Sequence, residues 1–71
     1  MPIIRFEKEL EILDVIERLK GMGIIVSLLN SGSTAKKHGD PFTHWYDLLA
    51  QEKISKEAEK FIEEQGGRIN P

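Results

Sequence analysis

The chain has no cysteine, so it has neither a disulfide framework nor a thiolate zinc site to stabilise it. It also has no long apolar run. The longest, Ile24 to Leu29 interrupted by Ser27, falls far short of the ~20 residues a membrane helix needs. The start, Met1-Pro2-Ile3-Ile4-Arg5, has no basic segment leading into an apolar stretch with a cleavage site, so secretion is not expected. Nor is there an excess of positive charge. Ten Lys and Arg against twelve Asp and Glu leave a net charge of −2, which removes the general drive toward a polyanion and makes nucleic acid an unexpected partner. These absences point to a cytoplasmic protein that neither crosses a membrane nor carries a structural metal.

What remains is enough to fold. With 39% hydrophobic and 31% charged residues, the composition is that of a globular chain. Seventy-one residues bury only ~60% of their unfolded surface, which suffices for one core, so residues 1–71 are expected to form a single domain. Packing alone must hold it, within the chain or across a subunit interface.

Ile3 to Phe6 is short, apolar and β-branched and reads as a strand. From about Glu7 the spacing becomes helical: Ile12, Leu13, Val15, Ile16 and Leu19 gather on one arc with Leu10 at its margin, opposite Glu11, Asp14, Glu17 and Arg18. Acidic residues early and basic residues late suit the helix dipole, and Gly21 is placed to close the helix in a left-handed conformation. Ile24 to Leu29 then reads as a buried strand. A second helix there would imitate a helix-turn-helix, but Ile-Ile-Val is a poor helix start and no basic recognition face follows. If this strand lies parallel to the first, the intervening helix is a right-handed crossover. Asn30 to Thr34 is turn-forming. Asp40-Pro41 has the pattern of a helix cap and first turn, and Phe42, Trp45, Tyr46, Leu48 and Leu49 recur at helical spacing to about Gln51. A last helix follows Ser55, whose hydroxyl suits a cap, and ends at Gly66-Gly67. Arg68 to Asn70 reads as a short edge strand or a frayed end. The expected fold class is therefore α+β, running strand-helix-strand, then two helices, then a short C-terminal edge strand.

Three clusters carry chemistry-bearing side chains. Ser31, Ser33, Thr34, Lys36 and Lys37 follow a strand and combine hydroxyls, amides and two ammonium groups, a set suited to a phosphate-bearing small molecule or nucleotide. They lack the glycine spacings of a Walker loop or dinucleotide fingerprint, and a solvated connection accounts for them more simply. His38, Asp40, His44 and Asp47 are residue types used for metals and proton transfer, and His44 and Asp47 stand three apart on the expected helix. A cap explains Asp40, however, and ordinary surface positions explain the others, so no metal and no cofactor is expected. Phe42, Trp45, Tyr46 and Leu49 place aromatic area on one short segment, as a core stripe or as anchors for another protein.

Catalysis has little support. Ser27, Ser31, Ser33 and Ser55 sit in no nucleophile-elbow pattern, and no histidine stands beside them in a persuasive pairing. Lys53, Lys56 and Lys60 alternate with glutamates as on a solvated helix. The sequence thus points to a non-enzymatic protein-interaction or regulatory module that self-associates or meets another protein. The contact would use Phe42, Trp45, Tyr46 and Leu49 together with the apolar face of residues 10 to 19. The alternative is a small anion- or nucleotide-binding protein using residues 31–37.

Overall fold

The computed structural model describes residues 1–34 and 43–71. The elements run β1 (Ile3–Phe6), α1 (Ile12–Gly21), β2 (Val26–Thr34), β3 (Thr43–Ala50), α2 (Lys56–Glu64) and β4 (Gly67–Asn70). They form an α+β structure with one four-stranded sheet in the order β2-β3-β1-β4. The ladders β1–β3, β1–β4 and β2–β3 are all antiparallel. β1 and β2 therefore point the same way, but β3 lies between them. This is the split βαβ plan of ferredoxin-like topologies, and it replaces the direct β1–β2 parallel pairing expected from the sequence.

Alternation along the strands puts Ile4, Phe6, Val26, Leu48 and Ala50 on one face of the sheet. They are buried there with Val15 and Leu19 of α1, Ile24, and Ala58, Phe61 and Ile62 of α2. Both helices thus cover the same face. Arg18 of α1 lies over the Phe61 ring at 4.8 Å and closes the outer margin of the core with a cation–π contact.

α1 begins at Ile12, five residues after the expected start. Its N-cap, Glu11, makes no side-chain capping bond, and Glu7 is instead drawn to the sheet, 3.4 Å from Arg68 and 3.8 Å from Arg5. At the other end Gly21 is still helical, and the left-handed residue is Gly23, with φ of 84°. There the Ile24 N–H donates back to the Leu19 carbonyl and returns the chain toward the sheet. α2 starts as its sequence indicates: the Ser55 hydroxyl accepts a bond from the Ala58 N–H at 3.2 Å. It closes through Gly66, at φ 85°, and the chain enters β4 at once.

The largest departure from the sequence reading is at residues 43–50, a strand rather than a helix. Thr43, Trp45 and Tyr46 favour extended backbone. Both faces of this segment carry apolar side chains: Tyr46, Leu48 and Ala50 face the helices, while Trp45 and Leu49 lie on the opposite face, where the Trp45 ring packs across Gly32. Asn30 to Thr34 likewise continues β2 instead of turning. The expected Asp40-Pro41 cap lies outside the described residues.

Candidate functional site

β2 forms one edge of the sheet, and its backbone shows which of its groups are already used. The Gln51 N–H donates to the Ile25 carbonyl at 3.0 Å, and the Ala50 N–H turns the other way, to the Pro2 carbonyl before β1. In an antiparallel ladder such directions alternate. The odd residues of β3 therefore bond to β2, engaging Ser27, Asn30, Gly32 and Thr34 through their register with Leu49, Asp47, Trp45 and Thr43. Val26, Leu28, Ser31 and Ser33 consequently turn their N–H and C=O groups outward. The parity changes because a bulge falls between Leu28 and Asn30, leaving Leu29 as the extra residue.

The side chains along this edge are apolar or neutral. Ile25, Leu28 and Leu29 are 54%, 48% and 55% exposed, and residues 24–35 contain no Asp, Glu, Lys, Arg or His. Natural edges are usually blunted by charge, proline or shortness. The opposite edge shows this: β4 has only four residues, carries an exposed Arg68 and is followed by Pro71. Apart from its bulge, β2 has none of these devices. Ile24 to Leu29 reads from the sequence as a buried strand, but only Ile24 and Val26 are buried; Ile25 and Ser27 fall on the side away from the helices, and Leu28, on the helix side opposite Leu48, is still 48% exposed.

The sequence-predicted contact residues do not share a face. Trp45 and Leu49 lie on the side of the sheet away from the helices, whereas Tyr46 packs against the core on the helix side; Phe42 lies outside the described residues. On the open face the Trp45 ring lies across Gly32, where an added Cβ would come within 2.6 Å of it, and the Arg5 guanidinium sits 5.2 Å over the ring. Arg5 is also held by both Asp47 carboxylate oxygens, at 2.8 and 3.2 Å. That hydrogen bonding, together with the Asp47 charge, raises the Arg5 pKa above its ordinary value. The β2–β3 ladder continues past β1 to Thr34 and Thr43, so Trp45 and Arg5 brace the base of a two-stranded arm. Although an aromatic and a basic residue meet here on a sheet platform, Asp47 and Glu7 match the charges of Arg5 and Arg68, leaving no positive surplus for phosphates. No local pattern reveals this cluster, because Arg5 stands 42 positions from Asp47.

The apolar arc of residues 10 to 19 is spent mostly within the fold. Val15 and Leu19 are buried, Leu10, Ile12 and Ile16 pack against the core, and only Leu13 stands well exposed. Ser31 and Ser33 occupy alternate positions of an extended strand, not a concave nest of amides; Thr34 ends that strand, and Lys36 and Lys37 lie outside the described residues. His44 and Asp47, three apart, point to opposite faces of β3 rather than sharing one. Among the described residues no three metal-binding side chains gather, and no polar or charged side chain is buried. An open depression of about 490 Å³ lies where the chain ends meet, bordered by Met1, Ile54, Ile69 and Pro71, and it too contains no buried polar group. Among the described residues no helix is long and apolar enough to cross a membrane. Comparison with protein-family models, curated proteins and solved structures finds no match to the chain.

Proposed function

We propose that the protein is a non-enzymatic interaction module of the cytoplasm that takes up a β-strand along the outer edge of β2. One observation carries this reading: a nine-residue edge strand with outward backbone groups, exposed Ile25, Leu28 and Leu29 and no charge. In strand addition the main-chain bonds supply affinity, and alternate side chains supply selectivity. Here the partner strand would meet backbone donors and acceptors at Val26, Leu28, Ser31 and Ser33. The flanking side chains would favour an apolar or small neutral sequence. A cytoplasmic setting agrees with a chain that uses no cysteine.

The test follows the amide protons of those four residues by NMR, first in the domain alone over a concentration series and then with an added peptide of alternating Thr and Val. Slowed exchange and shifted resonances at Val26, Leu28, Ser31 and Ser33 support the reading. If those amides exchange as freely as exposed amides in every condition, strand uptake at β2 is wrong.

A further inference from the structure

We infer that the strand taken up by β2 is β2 of a second copy of this chain, paired antiparallel about a two-fold axis that passes between Leu29 and Asn30. The inference rests on the strand-uptake reading above and specifies its occupant and register.

The outward backbone groups of β2 form a symmetric pattern. A two-fold antiparallel pair requires that if residue i faces j of the second copy, j also faces i of the second copy. Both members of each bonded pair must also turn their backbone groups toward each other. On a regular strand the outward residues share one parity, and the axis must pass through a residue position. The bulge changes this. It makes Val26 and Leu28 outward before it and Ser31 and Ser33 outward after it, as derived from the register with β3. These four positions are symmetric about the point between Leu29 and Asn30. Val26 then faces Ser33 of the second copy, and Leu28 faces Ser31, with the same two pairings repeated in reverse. Each pair exchanges two N–H···O=C bonds, giving about eight across the interface, within the usual number for a protein contact.

The side chains agree with this register. Val26 and Leu28 stand opposite Ala50 and Leu48, and Ser31 and Ser33 stand opposite Tyr46 and His44, so all four lie on the helix side of the sheet. Paired residues therefore project from the same face, as a continuous eight-stranded sheet requires. At the axis Leu29 faces Asn30 of the second copy, a pairing the symmetry repeats. Because a two-fold brings a segment against itself, any charge within it would meet its like; residues 24–35 contain none.

The other edge argues against open-ended growth. Joining β2 to β4 of the next copy would be a heterologous contact able to propagate. β4 is short, bears Arg68 beside Glu7 and is followed by Pro71. Pairing β2 with β2 uses the one unprotected edge found among the described residues and closes as a dimer.

The experiment combines mass by light scattering with a cysteine map, in which each introduced thiol is unique because the chain has none. The native protein should show twice the 8.1 kDa of one chain, and Leu28→Lys should return it to one chain while its circular dichroism stays unchanged. Leu13→Lys, at an exposed leucine away from the edge, should remain a dimer. Mixing Leu28→Cys with Ser31→Cys chains and oxidising should give the mixed disulfide, since the Cα separation of a bonded antiparallel pair, about 5.5 Å, suits one. Leu28→Cys mixed with Ser33→Cys should not cross-link. A native chain that stays monomeric to several hundred micromolar overturns the self-pairing, while the amide titration then decides separately whether β2 takes up another strand. A dimer that survives Leu28→Lys with its four edge amides unprotected overturns both. A mixed disulfide with Ser33→Cys in place of Ser31→Cys overturns the register.

Discussion

Gly67→Ala is the substitution whose effect follows most directly from the packing. Gly67 is the first residue of β4 and stands opposite Phe6. A Cβ there would lie 2.6 Å from the Phe6 ring and 2.7 Å from a methyl carbon of Ile62. Phe6 and Ile62 are both at 0% exposure, so neither can move without displacing further core. Overpacking of this kind costs about 1–3 kcal/mol, offset by the ~0.4–1 kcal/mol that alanine gains over glycine through the unfolded chain. The expected net loss is about 1–2 kcal/mol, or about 4–16 °C in melting temperature for a domain of this size. Total stability for such a chain is about 4–11 kcal/mol, so the loss is easily measured by urea unfolding. The contact can be isolated by combining Gly67→Ala with Phe6→Leu, which removes the ring edge. If the clash is the cause, the double variant is more stable than the sum of the single effects predicts. Gly67→Ala at or above native stability, or strict additivity with Phe6→Leu, would refute the reasoning.

Three further substitutions probe other parts of the fold. Leu19→Ala empties a fully buried position on α1 and should cost about 2–5 kcal/mol, bringing the domain close to unfolding at 37 °C in a thermal melt. Ser55→Ala removes the bond to the Ala58 N–H and should cost about 1 kcal/mol, with Ser55→Asp close to native in the same melt. Asp47→Asn strips the paired charge from Arg5. Because both side chains are partly in solvent, its destabilisation in urea should shrink at 1 M salt as screening weakens the native pair; a loss independent of salt would point to packing instead.

Local signals made part of this fold legible. The opening strand, the amphipathic α1, the Ser55 cap and the short last strand each depend on residues close in sequence, and each is found, with α1 starting late because nothing caps it at Glu7. Segment 43–50 was not legible. Asp47 interrupts an otherwise apolar stretch, and read with Trp45, Tyr46 and Leu49 it leaves a helical spacing; its actual partner, Arg5, is 42 positions away. The β-forming character of Thr43, Trp45 and Tyr46 was the available signal against a helix. Asn30 to Thr34 was similarly opaque, because its turn-forming composition reflects a bulge and a glycine that makes room for Trp45. The contact surface was hidden for a related reason: Ile24 to Leu29 looks like any buried strand until the order of the sheet puts it at an edge.

The arm beyond β1 has a consequence for how the chain tolerates change. Its last described pair, Thr34 and Thr43, stands about 5.5 Å apart, Cα to Cα, on either side of segment 35–42. The entropy of closing a chain between fixed ends rises only logarithmically, about 0.6 kcal/mol for each doubling in length. The closure entropy of residues inserted between these threonines, even to the size of a short recognition peptide, is therefore small. The domain is in this sense a frame on which a foreign loop could be displayed, and the proposed dimer would present two of them.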